Sequence, residues 1–241
     1  MDIPDITYAP KYFNYSSFYI IHRKFRELDR NKDGYLSFDE LLSYNSCSLN
    51  SKVGNFIYYL CRFPKDTEDQ EHPRNSPKKL RRRPRGIELR KVLETQFDLD
   101  DFAWFIMTEE DKSTRRAISI WFLCLDHDGD GYVSSGDMFY YYQYQITLMK
   151  SNFMDVIPFE RIYSEVIDLI NPADIDHLSL SEFQRCRKNA PYIFNIFFNL
   201  TKFIQFHHQK QEEDDNNISE WEKFVFKEHT NALKEQWAIQ F

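Results

Sequence analysis

The chain has 241 residues, 42% of them hydrophobic, enough for one large core or two smaller ones and too many for a chain disordered throughout. Its net charge of −7 argues against a nucleic-acid binder, whose basic face would push the balance the other way. Cys47, Cys61, Cys124 and Cys186 show neither metal-ligand nor disulfide spacing, no apolar run is long enough to span a bilayer, and the N-terminus lacks the pattern of a signal peptide. A reduced protein without membrane insertion is expected, in the cytoplasm, with nuclear or cytoskeletal association open to it.

Residues 1–13, with Pro4 and Pro10 and no steady periodicity, read as an extended lead-in. From Tyr15, apolar residues at Phe18, Ile21, Phe25 and Leu28 follow helical spacing. They lead into Asp29-Arg-Asn-Lys-Asp-Gly-Tyr-Leu-Ser-Phe-Asp-Glu40. Oxygen-bearing side chains stand at the first, third, fifth, ninth and twelfth positions, and a glycine at the sixth. A calcium ion takes about six to eight oxygens, and a loop of this spacing curls around it. Asp29, Asn31, Asp33, the Tyr35 carbonyl, Ser37 and Glu40 are the predicted ligands, Gly34 makes the sharp turn, and Leu36 is the position that pairs with a second loop. A further helix is predicted over Val53–Cys61.

Between Pro64 and Lys91 the apolar pattern collapses into a proline-punctuated insert. It carries Lys78, Lys79, Arg81, Arg82, Arg83 and Arg85, a run that fits a solvated linker, a nuclear-import signal or a docking site for an acidic partner. Order resumes at Gln96-Phe-Asp-Leu-Asp-Asp-Phe102, which repeats the back half of the first loop. Counting back eleven positions from Asp101 reaches Arg90, so this second hand lacks a front half and is expected only to pair with the first.

A helix with Ala117, Ile118, Trp121, Phe122 and Leu125 on one face leads to the second complete loop, Asp126-His-Asp-Gly-Asp-Gly-Tyr-Val-Ser-Ser-Gly-Asp137. The predicted ligands are Asp126, Asp128, Asp130, the Tyr132 carbonyl, Ser134 and Asp137. Asp137 is one methylene shorter than the usual glutamate, so the second site is expected to hold calcium more weakly and to tolerate magnesium. His127 reads as a solvent-facing spacer, and the tyrosines at 140, 141, 142 and 144 as core. A fourth hand follows a helix after Pro158: Leu178, Ser179 and Glu182 fit its back half, but Ala173, Ile175 and Asp176 spoil the front. The repeat is fourfold, complete and degenerate hands alternating.

The fold expected is all-α: an N-terminal EF-hand lobe over 14–110 carrying the insert at 64–91, a second lobe over 111–190 and a helical extension over 191–241. In that extension, a ring-dense helix from Pro191 should continue through Phe206. After an acidic break at Glu212–Asp215, a last helix over Ile218–Trp237 should either pack across the second lobe, the favoured reading, or dock a partner.

With its two complete hands far apart and a degenerate mate for each, the chain also carries Asp101-Phe-Ala-Trp-Phe-Ile, Glu109-Glu-Asp-Lys, Pro158-Phe-Glu, Pro191-Tyr-Ile-Phe and Phe197-Phe-Asn-Leu-Thr-Lys in that order. In these it resembles the B-double-prime regulatory subunits of protein phosphatase 2A from Tyr12 onward. The resemblance implies a non-catalytic subunit that binds the phosphatase scaffold and catalytic subunits, responds to calcium and selects phosphoprotein substrates. Members carry a helical region before the first complete hand where this sequence has residues 1–13, so a piece of a longer chain or a reduced scaffold contact is expected. The basic insert is longer and more charged than the resemblance implies. The alternative is a stand-alone EF-hand calcium sensor or cytoskeletal adaptor. An enzyme is not expected, since neither a phosphate cradle nor a nucleophile elbow is present and the carboxylates belong to loops.

Overall fold

A computed structural model describes residues 14–47, 49–60, 97–208 and 218–239. The lead-in, the basic insert and the acidic break lie outside the described residues. The first hand comprises α1 (Tyr15–Leu28), its loop and α2 (Phe38–Leu42), followed by a 3-10 turn (Tyr44–Cys47) and α3 (Ser51–Leu60). Asn14 caps α1 by accepting from the Ser17 amide at 2.7 Å, the usual answer to orphan amides at a helix start. The buried stripe of α1 is Ile20, Ile21, Phe25 and Leu28, whereas Phe18 turns to solvent.

The second hand contributes α4 (Leu99–Glu110). The third has α5 (Arg115–Leu125), β1 (Tyr132–Val133) and α6 (Ser135–Ser151), and the fourth has α7 (Phe159–Ile170), β2 (Leu178–Ser179) and α8 (Leu180–Arg185). The hands pair through their eighth positions. Leu36 bridges Phe97, its amide donating to the Phe97 carbonyl at 2.8 Å, and β1 runs antiparallel to β2 with Val133 opposite Leu178. All four of these residues are buried. The fold is all-α apart from these short pairings.

The ring-dense segment is two helices, α9 (Ala190–Phe198) and α10 (Leu200–His208), where one was expected. Asn199 separates them in an extended conformation, and the cause is remote in sequence. Its backbone bridges Leu49, its side-chain amide donates to Glu109 at 2.9 Å, and its carbonyl oxygen caps α10 at the Lys202 amide. Helix α9 packs against α5 and α6. The last helix, α11 (Glu220–Ile239), lies against α1 and α4 of the first pair of hands, not across the second pair as expected. Trp221 anchors it, its indole N–H donating to Ser17 Oγ at 3.2 Å, and Lys24 pairs with Glu228 at 2.6 Å at the rim. One apolar core therefore runs through both pairs of hands.

At its centre lies a charged network. The Glu109 carboxylate is fully buried and meets Lys112 at 2.5 Å and Lys202 at 2.9 Å. Lys202 also reaches Glu110 at 3.0 Å, and Glu110 accepts from the Tyr44 hydroxyl at 2.6 Å. The Lys112 ammonium stands 4.6 Å from the centre of the Trp121 ring, whose N–H donates to the Thr108 carbonyl at 2.8 Å. Burial alone would raise Glu109, but the two lysines outweigh it and hold the carboxyl at about 2. Burial pushes Lys112 down to about 8 despite Glu109. Lys202 stays above its ordinary value, with Glu109 and Glu110 overcoming the cost of its own burial.

Removing one partner of such a group strands the other charges. Glu109→Gln should therefore lower the unfolding free energy by about 3 kcal/mol, read from urea or thermal unfolding. Because Glu109 is depressed from 4.5 to about 2, its contribution is complete above pH 4.5 and is lost as pH falls toward 2. The native chain should lose stability across that window more steeply than Glu109→Gln.

Candidate metal centres

Each hand closes with the same local device. The ninth-position residue caps the outgoing helix and the twelfth-position carboxylate reaches back to the cap's amide, a capping box: Ser37 with Glu40, Asp98 with Asp101, Ser134 with Asp137, and Ser179 with Glu182. The sequence signal for this device is the acidic residue three positions after a serine or aspartate, and it is present whether or not the front of the loop can chelate.

In the first loop, the two Asp29 oxygens accept from the amides of Asp33 and Gly34 at 3.2 and 3.1 Å. Asn31 and Asp33 each accept an amide two residues on, at 3.0 and 2.9 Å. Glu40 spans the loop: one oxygen accepts from the Arg30 amide at 3.0 Å, the other from the Ser37 amide and hydroxyl at 2.9 and 2.7 Å. Burial works against the charged form of Glu40, but these donors outweigh it and hold its carboxyl below the usual range.

The third loop repeats this arrangement. Asp126 accepts from Gly129 and Gly131 at 2.7 and 3.0 Å, and Asp128 and Asp130 accept amides two residues on. Asp137 accepts from His127 at 2.9 Å and from the Ser134 amide at 2.8 Å. Oxygens of Asp126, Asp128 and Asp130 lie within 4.8 Å of one another. Burial, with Asp130 and Asp137 adding to it, raises Asp126 to about 6. Crowded carboxylates of this kind suit a hard divalent cation. All twelve predicted residues thus fall in two loops, and the seventh-position tyrosines, Tyr35 and Tyr132, turn their rings partly to solvent.

The fourth loop differs from the complete loops in register as well as composition. In the fourth, Asn171 adopts φ 48, whereas Asp29 and Asp126, its counterparts, stand at φ −68 and −65. Pro172 fills the second position and has no amide to offer, so Glu182 takes the amide of Ala173 instead, at 3.0 Å. Asp174 is occupied locally by the Asp176 amide and His177.

Two details are not legible from loop spacing alone. His127 is not a solvent-facing spacer: its ring stacks on Tyr140 at 3.7 Å. The fourth loop position requires a left-handed backbone, supplied by Gly129 at φ 77 in the third loop but by Lys32 at φ 59 in the first. Comparing the two loops position by position would have exposed this.

An EF-hand model, described as EF hand, matches residues 23–43 and 118–137, which contain the whole of the first loop and the whole of the third. Calcium binding is the general property of that module. Along nearly the whole chain, 97% of it, the sequence is 30% identical to the human B'' beta regulatory protein of protein phosphatase 2A and 31% identical to its human B'' alpha counterpart. A probable B'' epsilon regulatory protein of the same phosphatase from Arabidopsis thaliana is 29% identical over 96% of it. In sequence the chain is similar to the B-double-prime regulatory proteins. It spans 38%, 19% and 40% of the length of these three relatives. A solved structure described as a PP2A PR70 holoenzyme superimposes with a TM-score of 0.62 at 30% identity, covering 80% of this chain and 62% of that one. The segments Glu109–Lys112 and Phe197–Lys202, on which the resemblance rests, meet in the buried charged network.

Gly131 stands at φ 95 with open space where a Cβ would project, so the obstacle to a side chain there is torsional. Gly131→Ala should cost about 1–2 kcal/mol of stability, measured by thermal unfolding in chelator. Lys32→Gly, relieving the same torsion in the first loop, should stabilise by about 0.5–1 kcal/mol. Since Asp126 must lose its proton to chelate and is raised to about 6, calcium affinity at the third loop should fall as pH drops below 6, with proton release on binding in calorimetry.

Proposed function

We propose that the chain is a calcium-binding, non-catalytic regulatory subunit of B-double-prime type, which joins the scaffold and catalytic subunits of protein phosphatase 2A and directs the choice of phosphoprotein substrates. The observation that carries this reading is similarity to named B'' regulatory proteins along 97% of the chain, with both complete loops inside the aligned region. Cytoplasmic residence accords with it. Among the described residues no helix is long and apolar enough to cross a membrane.

In this reading two cations bind. One is held by Asp29, Asn31, Asp33, the Tyr35 carbonyl, Ser37 and Glu40, the other by Asp126, Asp128, Asp130, the Tyr132 carbonyl, Ser134 and Asp137. Calcium supplies the positive charge that the grouped oxygens accommodate. Glu40 and Asp137 now give both oxygens to loop amides and serine hydroxyls. If either carboxylate turned toward a cation, the seat of its outgoing helix, α2 or α6, would shift with it, which is how occupancy would change the surface offered to a partner. Asp137 is the shorter of the two, so α6 must approach further, and the second site binds calcium more weakly and tolerates magnesium. Affinity at the first site falls in the sensor range, about 0.1–10 µM.

Pull-down with phosphatase scaffold and catalytic subunits, in calcium and in chelator, should retain both, more strongly in one condition than the other. Retention of neither would leave a stand-alone calcium sensor or adaptor. Calorimetry on Glu40→Gln and Asp137→Asn should show one site lost in each, and two intact sites in both variants would refute the ligand assignment.

A further inference from the structure

Between the two complete loops runs a continuous set of contacts. Glu40 ends the first loop inside α2, and Tyr44 follows one helical turn later. The Tyr44 ring stands edge-on to Phe102 and Phe105 of α4, with centres 6.2 and 5.3 Å away, and its hydroxyl donates to Glu110 at 2.6 Å. Glu110 shares Lys202 with Glu109. Glu109 grips Lys112, whose ammonium sits on the face of Trp121. Trp121 belongs to α5, which ends at Leu125, directly before Asp126 of the third loop.

Short charge-assisted bonds are strongest and most directional where water is excluded. Of this set, Tyr44, Glu109, Lys112 and Trp121 are buried, and Lys202 is only 17% exposed. A displacement of Tyr44 cannot be absorbed by solvent, because Glu110 answers to Tyr44 and Lys202 together, and Glu109 to Lys202 and Lys112 together. The indole of Trp121 is also tied to the Thr108 carbonyl, so the end of α4 and the middle of α5 move as one piece.

We propose that the buried series Tyr44, Glu110, Lys202, Glu109, Lys112 and Trp121 couples the two metal loops, so that occupancy of the first strengthens binding at the other. This rests on the two-site reading above. Fixing α2 at the first loop orders Tyr44 and the network once, and the third loop then closes on an α5 already set. By linkage the effect is reciprocal.

Calcium calorimetry on the native chain, Glu40→Gln, Tyr44→Phe and the double variant tests it. With the first site abolished by Glu40→Gln, the third-loop dissociation constant should rise about five- to tenfold. In the Tyr44→Phe background the same substitution should change it less than about twofold. An unchanged third-loop affinity in Glu40→Gln, or full coupling retained in Tyr44→Phe, overturns the coupling while leaving the sites intact. Glu40→Gln still titrating as two sites overturns the ligand assignment itself, and the coupling with it. A second readout does not depend on affinities. In Asp137→Asn, where only the first loop binds, calcium should shift the indole N–H resonance of Trp121, and that shift should vanish on adding Tyr44→Phe. A Trp121 resonance indifferent to calcium in Asp137→Asn also overturns the proposal.

Discussion

Glu109 is a carboxylate with no water to solvate it, and the cost of that position is met only because Lys112, Lys202 and Asn199 converge on it from three places in the chain. An isolated buried charge of this kind would cost several kcal/mol. Its partners therefore have to arrive together: the turn after α4 brings Lys112, the break after α9 brings Asn199, and the first turn of α10 brings Lys202. The tail beyond 190 is thus bound into the body of the molecule, and the two pairs of EF-hands share a single interior.

Around this centre the four hands show how a repeat can keep its scaffold while losing its chemistry. The eighth-position pairing and the capping box involve only backbone groups, one apolar side chain and two small polar ones. They persist in the second and fourth hands, whose fronts lack the full set of oxygens at the ligand positions. A degenerate hand is then a full structural partner, since pairing buries Leu36 against Phe97 and Val133 against Leu178 without reference to metal.

What the sequence discloses divides along the same line. The loops, their mates and the helices flanking them follow from local spacing, because position within a twelve-residue motif determines which backbone amide each side-chain oxygen meets. Asn199 was unreadable: an asparagine between Phe198 and Leu200 sits comfortably in a helical pattern, and only Leu49 and Glu109, each at least ninety positions away, pull it out. The seat of α11 is hidden for a similar reason. Its apolar residues show that it packs, but Ser17 and Lys24, which receive Trp221 and Glu228, declare nothing locally. Phe18 met the helical spacing of α1 yet faces solvent, as happens at the margin of an apolar stripe.

The proline of the fourth loop bears on how such a hand could be returned to service. Supplying oxygens at Ala173 and Ile175 and a glycine at Asp176 would mend the composition, yet Glu182 would remain latched one residue late, because Pro172 offers nothing to hold and Asn171 is wound the opposite way from Asp29 and Asp126. Building a cage here by design would have to begin with Pro172, and replacing the proline alone would be a simpler first experiment than grafting an entire chelating loop.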